Sequence, residues 1–259
     1  MGWGIMKSTV PEIPLNNAPL VMVLSQVRFS YTPSLVTDEA EAAIHDLLRA
    51  YPVRERVDFS GPGQGTGASV ITNYRFSTVD NRWIVTVAAD FVAIATTAYE
   101  SRADLIERLA ECLKAIAVVE SPARVERVGV RYVDRVEDPV DLASLDEMVR
   151  PSLLGWSGLT DTDVGSDRLD LVEESTQALL SADEDQIIVR SFRLPPNAVY
   201  DPTIPQSERQ SWILDIDAGD PRRSPFSTAS ICDSATRLAD RCHSAFRWAV
   251  TDKFIERYR

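Results

Sequence analysis

The stretch VGVRYVDRVEDP, residues 128–139, alternates like a strand and places Arg131, Val133 and Arg135 on one face. A close echo, SQVRFSYTPSL at residues 25–35, sets Arg28 between a valine and an aromatic in the same way. How these two Val-Arg-aromatic strands relate decides the fold.

Around the first stretch, LVMVLSQVRFSY (20–31) is a β-branched and apolar run closed by Pro33, which predicts a strand. TDEAEAAIHDLLRAY (37–51) follows, with Thr37 as N-cap and Asp38 and Glu39 in the first turn. Its apolar stripe is Ala40, Ile44, Leu47, Leu48 and Tyr51. GPGQGTG (61–67) reads as a loop. SVITNYRFSTV and RWIVTVAADFVAIATTAY read as two or three strands turning at Asp80-Asn81. Ser101 to Asp104 forms a capping box for a helix striped by Leu105, Ile106, Leu109, Cys112, Leu113 and Ile116.

After Pro122 the order restarts. RVERVGVRYVDRV predicts a strand, and SLDEMVRPSLLG a short helix capped by Ser144 and Glu147. DRLDLVEESTQALLS and DQIIVRSFRLP predict strands around the turn ADED, and RQSWILDIDAG one more. From Thr228 the longest helix carries Ile231, Ala235, Leu238, Cys242, Phe246 and Ala249. The pattern therefore predicts an α+β fold of two pseudo-repeated β-α-β(n)-α units of helix-grip or TATA-box-binding-protein-like type. Each antiparallel sheet would be covered by a long helix, and joining the sheets edge to edge would remove exposed edge strands. A ferredoxin-like split β-α-β first half is the fallback. The expected organisation is an N-terminal arm at 1–18, a first unit at 19–121 and a second at 122–259, packed as one body.

With 27 Lys+Arg against 39 Asp+Glu, the formal net charge is -12. That field repels phosphate backbones, so nucleic acid is disfavoured as a partner. Cys112, Cys232 and Cys242 show no metal or redox spacing and suit a reducing compartment. No apolar run is long enough to span a bilayer, so a cytoplasmic location off the membrane is expected.

The glycine-rich loop lacks the Lys-Ser/Thr and the following helix of a phosphate loop. His45 and His243 sit apart on helices and do not form a zinc set. Cys242 and His243 are adjacent on a helix and point about 100° apart, unlike a nucleophile pair. The acidic runs at 159–167, 181–186 and 214–220 read as solvated loops or a solvent-facing strand, with Leu214 and Ile216 inward and Asp215 and Asp217 outward. No catalytic residue, metal or cofactor is implied. Arg28, Arg75, Arg131, Arg135 and Arg190, joined by Asn73 and Arg193, fall in strands. They either form a face for an acidic group or pair across strands with acids such as Asp134, Asp215 and Asp217, and the acid excess favours pairing. Trp83 and Trp212, with Phe246 and Trp248, would line any cavity between sheet and long helix, and His243 lies beside it.

Three blocks also carry a family resemblance: NNAPLVMVLSQVRFS, VERVGVRYVDRVEDP and LADRCHSAFRWAVTDKFIERYR, the last with His243, Phe246, Thr251 and Asp252. They resemble the hallmark blocks of a sporadically distributed bacterial family of about this length. The resemblance implies no established activity; its scattered distribution implies accessory, defence or toxin–antitoxin contexts. The expected function is a non-enzymatic protein-interaction module, with a protein partner or self-association. The alternative is a binder of a small apolar or amphipathic ligand, and an enzyme using Asp215, Asp217 and His243 is a third, weaker possibility.

Overall fold

The computed structural model describes residues 15, 17–62, 68–158 and 171–259. Most of the N-terminal arm, the core of the glycine-rich loop and the acidic run at 159–167 lie outside the described residues.

Among the described residues, ten strands form one sheet: β1 (Leu20–Phe29), β2 (Val53–Pro62), β3 (Ala68–Ser77), β4 (Trp83–Val87), β5 (Phe91–Thr96), β6 (Arg124–Val136), β7 (Glu174–Ala182), β8 (Asp185–Leu194), β9 (Ser211–Asp220) and β10 (Ser224–Pro225). The order is β2-β3-β4-β5-β1-β6-β9-β8-β7, with β10 on β6. This corrects the expectation of two helix-covered units of TATA-box-binding-protein-like type: the fold is dominated by a single large antiparallel sheet containing strands from both halves of the chain. Repeated helix–strand patterning reports local periodicity, and it does not report which strands share hydrogen bonds.

Six helices accompany the sheet: α1 (Asp38–Leu47), α2 (Arg102–Val119), α3 (Pro139–Ala143), α4 (Leu145–Met148), α5 (Thr228–Ala249) and α6 (Asp252–Tyr258). None is long and apolar enough to cross a membrane. Two compact units are distinguished: Val23–Val130 with Gly219–Leu238, and Arg131–Ala218 with Ala239–Arg259 and the residues up to Met22.

In the unit built on Val23–Val130, Thr37 caps α1 by accepting from the Ala40 N–H at 3.2 Å, and Ser101 caps α2 by accepting from Asp104 at 3.2 Å. Such caps contribute about 1 kcal/mol each. α2 lies against α1 and β5 and buries Leu105, Leu109, Cys112, Leu113 and Ile116. Each large apolar side chain there contributes roughly 2 kcal/mol of transfer free energy. Asn81 turns β3 into β4 at φ 55, a left-handed conformation that asparagine tolerates.

In the other unit, Asp183 takes φ 55 in the β7–β8 turn. The Asp138 side chain accepts from the Val140 and Asp141 N–H groups and so starts α3. Buried Asp141 then accepts from Arg257 Nε at 2.6 Å and from the Tyr258 hydroxyl at 2.9 Å, tying α3 to α6. Thr251 marks a break between α5 and α6. Its hydroxyl donates to the Glu147 carbonyl at 2.7 Å, which fastens that break to α4.

Candidate functional site

Arginines that the sequence placed in strands converge on one buried carboxylate. Asp215, in the middle of β9, is fully buried. Arg131 of β6 meets it with a bidentate fork, Nε to Oδ1 at 2.9 Å and Nη2 to Oδ2 at 3.1 Å. Arg190 of β8 donates to Oδ2 at 3.2 Å, and the Tyr200 hydroxyl donates to the same oxygen. The remaining nitrogen of Arg131, Nη1, reaches Asp201 at 2.7 Å, while Arg190 Nε reaches Gln177 on β7 at 2.9 Å.

Tyr200 and Asp201 belong to the connection from β8 to β9, residues 195–210, which runs over this sheet face. Thr203 fixes its turn by donating its hydroxyl to Asp201 at 2.6 Å and its backbone N–H at 2.9 Å. Tyr200 packs on Phe192 with ring centroids 4.6 Å apart, and the Arg131 guanidinium lies 5.9 Å from the Tyr200 ring centre. Further along, buried Arg135 donates to the Pro205 carbonyl and stands 3.6 Å from Glu137.

Two guanidiniums and two carboxylates make this cluster electrically balanced. Burial opposes the Arg131 charge, but Asp215 and Asp201 outweigh it and push its pKa up. Burial, reinforced by donation to Asp215, drives the Tyr200 hydroxyl well above its ordinary range, so it stays protonated and donating. Burial also opposes ionisation of Asp201, yet hydrogen bonds from Thr203 and Arg131 hold its pKa below the usual carboxylate value. Asp215 accepts four hydrogen bonds, one on Oδ1 and three on Oδ2. The arrangement clamps the 195–210 connection onto the sheet. Asp215 therefore does not face solvent; β9 is buried on both faces because that connection covers one of them.

The other sequence candidates lie elsewhere. Arg28 pairs with Asp90 at 3.4 Å, both about half exposed, and Arg75 stands 3.8 Å from Glu55 across β2–β3. Trp83 is buried under Arg108, whose guanidinium lies 4.4 Å from the ring centre. Trp212 is fully buried in the core, and His243 is half-buried on α5. Burial pushes the Cys242 thiol far above its ordinary value. Among the described residues, no three His, Cys, Asp or Glu side chains group as a metal site.

A cleft of about 540 Å3 opens beside α3. Pro139, Leu142 and Ala143 are its apolar lining residues, and Glu137, Arg193, Arg209 and Gln210 its polar ones. Sequence reasoning missed Tyr200, Asp201 and Arg209, which lie in an irregular connection without periodicity. Its available signal was the spacing of Pro195, Pro196, Pro202 and Pro205, which marks a stiffened segment. Neither the scan against protein-family models nor the comparison with curated proteins finds a match, so the resemblance to a bacterial family rests on its three sequence blocks.

Proposed function

We propose that the chain is a non-enzymatic protein-interaction module whose β7 edge receives a strand from a basic partner. The contrast between the two ends of the sheet carries this reading. β2, at one end, bears Arg54, Glu55, Arg56 and Asp58, the charged pattern that blunts an edge against pairing. β7, at the other end, exposes Ser175, Gln177, Ala178, Leu179 and Ser181, with no charge among them. An uncharged edge strand is a template for strand addition. The net charge of -12 and the acidic turn Asp183-Glu184 beside β7 favour a cationic strand. A partner of this kind suits the accessory role that the sequence resemblance implies.

The test is Leu179→Lys, at a side chain 64% exposed. The partner is isolated from the native host with the wild-type chain, identified by mass and returned in purified form. Amides at 177–182 should then gain hydrogen-exchange protection in the wild type and lose it in the variant. Equal binding by both chains, with no protection at β7, would refute the reading.

A further inference from the structure

We infer that the cleft beside α3 binds a small monocarboxylate carrying a short apolar tail. Its volume, about 540 Å3, lies within the range of small-molecule sites. Two guanidiniums line it with spare donors. The exposed Arg209 side chain has no acid partner among the described residues, and its backbone N–H is held by the Ser207 hydroxyl at 3.1 Å. Arg193 has a side chain 18% exposed; its Nε is buried and faces Glu174 at 3.7 Å, so only its Nη groups can meet a ligand. A carboxylate presents two oxygens to such donors, and the Gln210 amide adds another donor to the lining.

The local charge selects a monoanion. Among the lining residues, Arg193 and Arg209 against Glu137 leave one positive charge. A phosphate dianion would exceed that charge and meet Glu137 as a repulsive neighbour. Pro139, Leu142 and Ala143 add apolar lining from α3, which suits a short hydrocarbon chain. The inference is independent of the β7 edge.

Titration calorimetry with hexanoate tests it, against hexanamide and inorganic phosphate. Hexanoate is expected to bind with a Kd in the low millimolar range, about 3–4 kcal/mol. Hexanamide and phosphate should bind at least about tenfold more weakly. Arg209→Gln should cut hexanoate affinity about tenfold or more, the loss expected for one charge-assisted pair. This substitution is at an exposed side chain and leaves the core intact. Ala143→Glu, also exposed, places a like charge at the apolar wall and should abolish binding. Absence of hexanoate binding, equal binding of hexanamide or phosphate, or unchanged binding in both variants would each overturn the inference.

Discussion

Removing Arg131 measures what the buried cluster contributes. In Arg131→Met, Asp215 loses two of four hydrogen bonds and its bidentate counter-ion, while its side chain stays inaccessible to solvent. Breaking one partner from a buried pair costs about 3–5 kcal/mol. Arg190 and Tyr200 still reach Asp215, which sets the loss at the low end, about 3 kcal/mol. Asp201, whose side chain is 20% exposed, adds less than about 1 kcal/mol when its partner goes. The melting temperature should fall by roughly 6–12 °C, at about 2–4 °C per kcal/mol for a chain near this size. Arg28→Met supplies the internal comparison. Its partner Asp90 is 3.4 Å away and the two side chains are 53% and 47% exposed, so the cost stays within about 1 kcal/mol. Urea unfolding of the two variants beside wild type gives both numbers. Hydrogen exchange at 198–204 should rise in Arg131→Met alone, because that substitution releases the connection. If the two variants lie within about 0.5 kcal/mol of each other, the account of the clamp is wrong.

Three further outcomes are expected. Burial raises the Asp134 carboxyl from 3.8 to about 7, so the folded chain binds an extra proton between those values; stability should fall as pH rises from about 4 to 7, by up to about 4 kcal/mol, and Asp134→Asn should flatten that slope in denaturation at several pH values. Arg222, with help from Arg237, lowers Asp220 to about 2. Its contribution, about 2 kcal/mol, is full above pH 4 and lost as pH falls toward 2, a loss that Asp220→Asn should remove from the acid limb. A Cβ at Gly219 would lie 2.5 Å from Arg127 Nη2 and 2.8 Å from its Nε, the far end of a flexible side chain that can swing aside; Gly219→Ala should cost less than about 1 kcal/mol, and an Arg127→Ala background should erase that cost in a double-mutant cycle.

The sequence revealed elements where one face is apolar and left them hidden where burial is absent or complete. α2 announced itself by its stripe and its Ser101 cap, and β6 by its alternation. β2 escaped notice because it is an edge strand. Its charged residues protect the edge, and they also erase the hydrophobic period that marks a strand. In β9 the alternation of Leu214 and Ile216 with Asp215 and Asp217 was visible, but it was assigned a solvent-facing side. The missing fact was the cover of 195–210, which no period in the chain encodes. Asp134, Asp215 and Asp217 were all plausible partners for the strand arginines. Asp134 lies an odd number of residues from Arg131 and therefore points to the opposite face, which leaves β9 to supply the acid.

Arg28 and Arg131 share a Val-Arg-aromatic setting, and the structure separates them by what lies above each one. Over Arg131 the chain from β8 to β9 carries Tyr200 and Asp201 and is stiffened by four prolines, which lowers the entropy it loses on docking. Once that cover excludes water, the same guanidinium becomes costly to leave unpaired, and three strands, β6, β8 and β9, each supply a member of one neutral cluster. Arg28 has no such cover, and its pair with Asp90 stays in a high-dielectric setting where it contributes little. The functional consequence follows from the covalent path. The 195–210 connection that the cluster clamps also delivers Arg209 to the cleft beside α3. Releasing the clamp should therefore weaken hexanoate binding even though Arg131 does not line the cleft. If Arg131→Met bound hexanoate with wild-type affinity, Arg209 would be held by its own local contacts, such as the Ser207 hydroxyl, and the clamp would serve stability alone.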